Sequence, residues 1–139
     1  MLMRKVMFRI IGAIAVLAAF FFGTLYAMDF VDRRTRDGRR VETAKAVMAA
    51  LAKFRAAKTS YPILPNRDGY ITDLAPFLVT GGFIGEIPPN PPGAEPTRYY
   101  SDDGKSYGLW LHFERSENCK IEVDAKNTGW WGNPAICSL

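Results

Sequence analysis

Histidine and cysteine are scarce in this chain of 139 residues, which contains one histidine and two cysteines. A single histidine, His112, is too few to build a histidine metal cage, and no G-x-S-x-G motif accompanies it. The cysteines, Cys119 and Cys137, lack the C-x-x-C spacing that is typical of redox pairs. We therefore expect a protein that is not an enzyme, with no catalytic residues, no metal site and no cofactor.

The sequence also lacks low-complexity tracts, internal repeats and any nucleic-acid-binding motif. Its formal net charge is +4, and the positive charge is concentrated directly after a long apolar segment. Lipid head groups are therefore a more natural partner than nucleic acid, although such a cluster is most often only a basic belt beside a membrane helix. The candidate head-group contacts are Arg33, Arg34, Arg36, Arg39 and Arg40.

The apolar segment runs from Ile10 to Met28 as nineteen residues without a charge. At about 1.5 Å per residue, a helix of that length crosses about 30 Å of hydrocarbon. A cleavable signal peptide is the alternative, because basic residues precede the segment and Ala27 could end a cleavage site. Leu25 is large for such a site and the apolar run is long, so we expect a retained transmembrane anchor.

Beyond the anchor, apolar residues recur at steps of three and four, which predicts an amphipathic helix ending near Lys58. The stretch TRYYSDDGKSYGLWLHFE predicts a hairpin turning at Asp103-Gly104, and CKIEVDA predicts a third strand. The fold class is therefore α+β: a transmembrane helix continuing into an amphipathic helix that packs on a three-stranded antiparallel sheet. The predicted segments are a basic tail (1–9), the anchor (10–28), a basic juxtamembrane segment (29–40) and a globular domain (41–139).

Between helix and sheet lie TDLAPFLVTGG, which predicts a short helix ended by a left-handed Gly81, and GGFIGEIPPNPPG. The second stretch is rich in glycine and proline but is not polar, as a flexible linker would be. Phe83 and Ile87 would gain by packing against the domain. We therefore expect a fixed connector rather than a hinge between two domains.

Two features near the C-terminus have alternative interpretations. Cys119 and Cys137 are either the two halves of a disulfide, useful in a small extracytoplasmic domain, or two reduced thiols. Trp130 and Trp131 either cap the open edge of the sheet core or form an exposed aromatic contact for a partner protein or a sugar.

Three stretches in the same order resemble the type IV pilin-like proteins, in particular the major pseudopilin of type II secretion. AALAKFRAAKTSYP resembles the end of its helix, LAPFLVTGGFIGEIPPNPPG its loop, and YYSDDGKSYGLWL its hairpin. The resemblance covers roughly residues 41 to 113, and the three pieces together are more specific than any one alone.

The resemblance implies a non-enzymatic structural or assembly subunit of a system related to type II secretion. Such a protein is a single-pass protein of the bacterial inner membrane with its C-terminal domain in the periplasm, fastened by a disulfide between Cys119 and Cys137. Its partners would be the lipid bilayer and other membrane or pseudopilin-like proteins, in homo- or hetero-oligomers. The alternative is an accessory subunit of another membrane complex, or a ligand-binding module, that contacts its partner through Trp130 and Trp131.

The chain departs from the family pattern in three respects. It has no glutamate early in the apolar helix, since no acid lies between Arg9 and Asp29, and neither Gly12-Ala13 nor Gly23-Thr24 matches the leader junction. DAKNTGWWGNPAI contains one acid, Asp124, so we expect no calcium site there.

Six Lys or Arg residues follow the anchor and three precede it, which by the positive-inside rule favours a cytoplasmic domain. The cysteines and the resemblance favour the periplasm.

Overall fold

The computed structural model of the protein describes residues 2–125, 129–132 and 135–137, with side chains from Ile11 onward. The described part is α+β: a long N-terminal helix precedes a five-stranded mixed sheet. By its internal contacts the chain divides into two compact units, one ending at Arg34 and the other beginning at Thr35. The second unit therefore begins before residue 41, where the sequence places the start of the globular domain.

The first unit consists of the first turns of helix α1, which spans Leu2–Lys58. From residue 11 to residue 34 all side chains of this unit are exposed, the large apolar ones included. Among the described residues, α1 is the one helix long and apolar enough to cross a membrane, and its most apolar window is not buried at all. A signal sequence would pass the same test of length and composition.

In the second unit, the last turns of α1 supply one side of the hydrophobic core. The helix ends at Lys58, as the sequence predicts, because Thr59 takes a left-handed conformation with φ of 65°. Its buried apolar side chains recur at helical spacing, which gathers them on one face. These are Ala44, Val47, Ala50, Leu51 and Phe54.

Five strands form the sheet in the order of the chain: β1 Asp68–Tyr70, β2 Arg98–Tyr100, β3 Tyr107–Leu111, β4 Cys119–Val123 and β5 Ala135–Ile136. Strands β1 to β4 pair antiparallel, whereas β5 lies parallel to β4. The expectation of a three-stranded antiparallel sheet is therefore not confirmed. It missed β1 and β5, which at three and two residues are too short to show an alternating pattern.

The helix covers one face of the sheet, and period-two alternation along the strands decides which side chains face it. On β3, Tyr107, Leu109 and Leu111 are buried in the same core as the helix. Gly108 and Trp110 alternate with them and point to the other side, as does His112 directly after the strand. The β2–β3 turn uses the residues that the sequence indicates. Gly104 has φ of 69°, and the Lys105 amide donates to Asp103 Oδ1 at 2.9 Å.

Between β1 and β2 the chain forms a 3-10 turn at Ile71–Leu74, helix α2 at Ala75–Leu78, and then the glycine- and proline-rich connector. The connector begins on the core, since the rings of Phe83 and Phe54 are 5.2 Å apart, and Ile87 is partly buried there. The left-handed residue after α2 is Gly82, with φ of 74°, rather than the predicted Gly81. At Gly81 the carbonyl oxygen of Phe77 and the ring of Phe83 leave no space for a side chain.

Candidate functional site

Two clusters of the second unit contain six of the nine candidate site residues singled out in the sequence. The first lies at the C-terminal end, where a disulfide joins Cys119, the first residue of β4, to Cys137, which follows β5. Their Cα atoms are 5.0 Å apart, and the Cys137 amide donates to the Lys120 carbonyl at 2.8 Å. The bridge therefore ties the end of the described chain to strand β4, beside the edge strand β5.

Trp130 and Trp131 lie on the face of the sheet that points away from the helix, here called the outer face. The Trp130 ring centroid is 4.6 Å from that of Tyr100, and the Trp131 centroid is 5.6 Å from that of Trp110. A Cβ on Gly108 would meet the Trp130 ring at 2.7 Å and the Trp131 ring at 3.0 Å. The two indoles thus occupy the space above a residue that has no side chain.

This packing adds detail to the two interpretations of the tryptophan pair, and the partner-contact interpretation stays a prediction. The indoles cover the outer face beside β3 rather than capping the edge of the main core, and neither belongs to the core shared with the helix. Nor are they fully exposed, because each is half-buried by its aromatic neighbours. Any partner contact of Trp130 or Trp131 would use only the remaining part of each ring.

His112 also lies on the outer face, buried beside Trp110, with ring centroids 4.8 Å apart. Burial lowers the pKa of the imidazole, and the Glu95 carboxylate, 3.7 Å from Nε2, opposes that shift. Among the described residues, no three His, Cys, Asp or Glu side chains gather closely enough to hold a metal ion.

The second cluster is a buried set of charges around Glu114, which follows β3. Arg36 donates two hydrogen bonds to its carboxylate, from Nε to Oε1 and from Nη2 to Oε2, each 2.7 Å long. Arg40 Nη1 donates to the same Oε1 at 3.2 Å and to Asp37 Oδ1 at 2.9 Å. Hydrogen bonds from Arg36 and then Arg40 lower the pKa of Glu114 to about 2, against the opposing effect of burial.

Arg40 also fixes the connector to the helix. Its Nη2 donates to the carbonyl oxygens of Pro91 and Pro92, at 3.0 Å and 2.7 Å, and its side chain is fully buried. The buried carbonyl of Pro91 and the partly buried carbonyl of Pro92 thereby both have a hydrogen-bond donor. The glycine- and proline-rich stretch is a fixed connector in this structure, held by Phe83 at its start and by Arg40 near its end.

These contacts remove two arginines from the predicted set of lipid contacts. Arg40 is buried and Arg36 pairs with Glu114, so neither guanidinium is available to a phosphate head group. Arg33, Arg34 and Arg39 have exposed side chains, and Arg33 forms an exposed ion pair with Asp29 one helical turn earlier. The head-group prediction is kept for these three arginines alone.

The sequence analysis did not single out Glu114, and it placed Arg40 among the head-group contacts rather than in the core. One signal was present: Arg40 lies four residues before Ala44 and seven before Val47, on the apolar face of the helix. A cation at such a position requires a buried acceptor elsewhere in the chain. The sequence did not indicate which acid provides it.

Comparison with known proteins adds no relative: no family model, no curated protein and no solved structure matches this chain.

Proposed function

We propose that this protein is a non-enzymatic, membrane-anchored subunit of pseudopilin-like type, with a structural or assembly role in a system related to type II secretion. The observation that carries the proposal is that the two ends of one helix differ in burial. Helix α1 exposes an uncharged apolar segment in its first part and supplies the core-facing stripe of the sheet domain in its last part. Pilin-like proteins have the same order of elements: an apolar helix segment, a core-facing helix segment, a proline-rich connector and then a hairpin.

The exposed apolar side chains of the first unit support a role in assembly. Leu17, Phe20 and Phe22 are 69%, 74% and 68% exposed. Contact of so much apolar surface with water is unfavourable. A bilayer would cover them, and so would the helices of neighbouring subunits within it. The proposal therefore names lipid and other single-pass membrane proteins as the partners, with Arg33, Arg34 and Arg39 contacting acidic head groups.

The compartment follows from the disulfide in this proposal. Disulfides persist in the periplasm and are rare in the cytoplasm of most bacteria, so the Cys119–Cys137 bridge supports a periplasmic domain. The excess of Lys and Arg after the anchor is the opposing observation.

Photo-cross-linking in intact bacteria tests the assembly role. A photoreactive amino acid is placed at Leu17, in the exposed apolar segment, and, as the matched control, at the exposed Glu117 of the sheet domain. We expect Leu17 to cross-link to a second copy of this chain or to another pilin-like membrane protein. Cross-linking to lipid alone would contradict the proposal.

The alternative is an accessory subunit of an unrelated membrane complex. The lack of any acid between Arg9 and Asp29 favours it, because filament-forming pilin-like proteins, which the chain resembles, carry a glutamate in that segment. In the same experiment, this function predicts a stoichiometric cross-link from Leu17 to a protein with several membrane helices and none to pilin-like chains.

A further inference from the structure

The two ring nitrogens of His112 face two different segments of the domain. Nδ1 lies 3.4 Å from the side-chain nitrogen of Asn118, which ends the loop between β3 and β4, residues 112–118, here called the β3–β4 loop. Nε2 lies 3.7 Å from the carboxylate of Glu95, in the segment that joins the connector to β2. His112 is buried, whereas Asn118 and Glu95 are exposed. The imidazole therefore stands between two polar side chains that have room to move.

The contacts of Asn118 determine which nitrogen of the neutral imidazole carries the proton. Its Oδ1 accepts a hydrogen bond from the Phe113 amide at 2.9 Å, so its Nδ2 is the atom that faces His112. Because Nδ2 is a donor, Nδ1 of the imidazole is the acceptor, and the proton of the neutral ring lies on Nε2. Among the described residues this Nε2 has no hydrogen-bond partner, since 3.7 Å to Glu95 is too long for one.

A second proton on the imidazole breaks the contact with Asn118. The proton enters at Nδ1, which becomes a donor that faces the donor Nδ2 of Asn118. If the side-chain amide turns over to accept from Nδ1, its nitrogen then faces the Phe113 amide, again donor against donor. In either orientation one of the two hydrogen bonds is lost, so Asn118 no longer links Phe113 to His112.

The same proton strengthens the contact with Glu95. A charged imidazole attracts the carboxylate, and a movement of about 1 Å would bring the two atoms to the length of a charge-assisted hydrogen bond, about 2.8 Å. Glu95 has the freedom for that movement, because its side chain is 45% exposed and its hydrogen bond from Tyr70 is 3.4 Å long.

The elements around His112 present charges of both signs to it. Burial has the largest effect and lowers the pKa of the imidazole, the Glu95 carboxylate raises that pKa, and Arg98 of β2 and Arg40 of α1 lower it. The β3–β4 loop presents the uncharged Asn118. Among the described residues, Glu95 is thus the group that favours the charged form of the ring.

We propose that His112 is a pH-operated link, in which the uptake of one proton binds the imidazole to Glu95 and releases the β3–β4 loop from Asn118. The proton comes from water, and an N–H bond at Nδ1 is the one covalent bond that forms.

The released loop also contacts helix α1. The amides of Glu114 and Arg115 donate to the Asp37 carboxylate of α1 at 3.0 Å and 3.2 Å. Protonation of His112 therefore loosens, at its sheet side, a loop that holds the charge cluster at its helix side.

The single histidine of the chain makes nuclear magnetic resonance the direct test. The isotope-labelled full chain in detergent micelles is titrated from about pH 8 to pH 4.5, above the range in which Glu114 loses its stabilising charge. We expect a neutral imidazole with its proton on Nε2 and a pKa below the ordinary value of 6.5. The resonances of the Phe113 amide and the Asn118 side-chain amide should shift with the same midpoint, while the Leu109 amide of the core stays in place.

Two variants separate the two contacts. Glu95→Gln removes the carboxylate and should lower the pKa of the imidazole. Asn118→Ala removes the donor to Nδ1 and should raise it, and the Phe113 amide should then no longer follow the titration. Glu117→Gln, an exposed change in the same loop, is the matched control and should leave the midpoint as in the wild type.

Each readout can overturn the inference. A neutral imidazole with its proton on Nδ1, or one that stays neutral down to pH 4.5, would contradict the assigned contacts. Equal midpoints of Glu95→Gln and Glu117→Gln would show that Glu95 does not stabilise the charged ring. A Phe113 amide that does not respond would show that the loop is not released. A Leu109 amide that shifts with the imidazole would show that the whole domain responds rather than the loop.

Discussion

At the scale of single residues, the burial of Arg40 can be predicted from the sequence pattern, whereas its hydrogen-bond acceptors cannot. Its position on the apolar face of α1 follows from helical periodicity, so burial was readable from the sequence. Its acceptors were not, because Glu114 lies 74 residues later, and the carbonyls of Pro91 and Pro92 carry no signal in the sequence. Long-range pairing of this kind is decided by the tertiary structure.

The charge cluster predicts a large effect of Glu114→Gln. The variant removes the carboxylate that Arg36 and the buried Arg40 share and leaves Asp37 as the acid paired with Arg40, and removing one member of a buried pair costs about 3 kcal/mol. We expect the free energy of unfolding, measured in urea, to fall by that amount. Glu117→Gln, an exposed change three residues later, is the control and should change it by less than about 0.5 kcal/mol. Equal effects of the two variants would show that the cluster does not stabilise the domain.

The same carboxylate predicts how stability depends on pH. The pKa of Glu114 is about 2 in the folded protein, below its ordinary value of 4.5. A depressed folded-state pKa contributes stability that is present above pH 4.5 and lost as the pH falls towards 2. Urea unfolding at several pH values in this window should show a steeper loss for the wild type than for Glu114→Gln. Parallel pH profiles would contradict the assigned pKa.

At the scale of elements, the predictable parts are those with a local signal. The end of α1 at Lys58 and the β2–β3 turn with its left-handed Gly104 were readable from apolar periodicity and turn residues. Strands β1 and β5 were not, since each is defined by its partner strand rather than by its own pattern. The packing of the tryptophan pair was equally hidden, because it depends on Gly108 facing away from the helix.

The end of helix α1 predicts a stabilising substitution. Thr59 is exposed and has φ of 65°, a conformation that a β-branched residue adopts at a cost and glycine adopts freely. Thr59→Gly should therefore raise the free energy of unfolding by about 0.5 to 1 kcal/mol. Thr80→Gly, at an exposed threonine without positive φ, is the control and should lower it slightly. Destabilisation by Thr59→Gly would show that the left-handed end does not strain the threonine.

Two glycines of the connector predict that the cost of backbone strain can be separated from the cost of contact with Glu114. Gly93 has φ of 93°, and a Cβ there would lie 2.5 Å from the Glu114 carboxylate, whereas Gly82 has φ of 74° and open space around it. Gly82→Ala should cost about 1 kcal/mol through backbone strain alone. Gly93→Ala should cost more in urea unfolding, and the excess should shrink when Glu114 is also replaced by Ala, which removes the atoms that the new Cβ would contact. An excess that persists in the double variant would exclude contact with Glu114 as its cause.

At the scale of the whole molecule, the sequence predicted an α+β chain with a long N-terminal apolar helix, and the structure agrees. The number of strands and the parallel direction of β5 could not be predicted from the sequence, because β5 belongs to a segment that the disulfide links back to β4. Function follows from neither composition nor fold class, which many unrelated activities share. The proposed role therefore depends on where the domain lies and what the anchor contacts.

Thiol labelling of the two cysteines tests that account most directly. A membrane-impermeant maleimide is applied to intact bacterial spheroplasts, with and without reductant, and the mass of the recovered chain is determined. We predict labelling only after reduction, because Cys119 and Cys137 are bridged. The proposed function also predicts that the labelled chain still contains residues 1–28, since it requires a retained anchor. Labelling that requires lysis would place the domain in the cytoplasm and contradict the pseudopilin-like role.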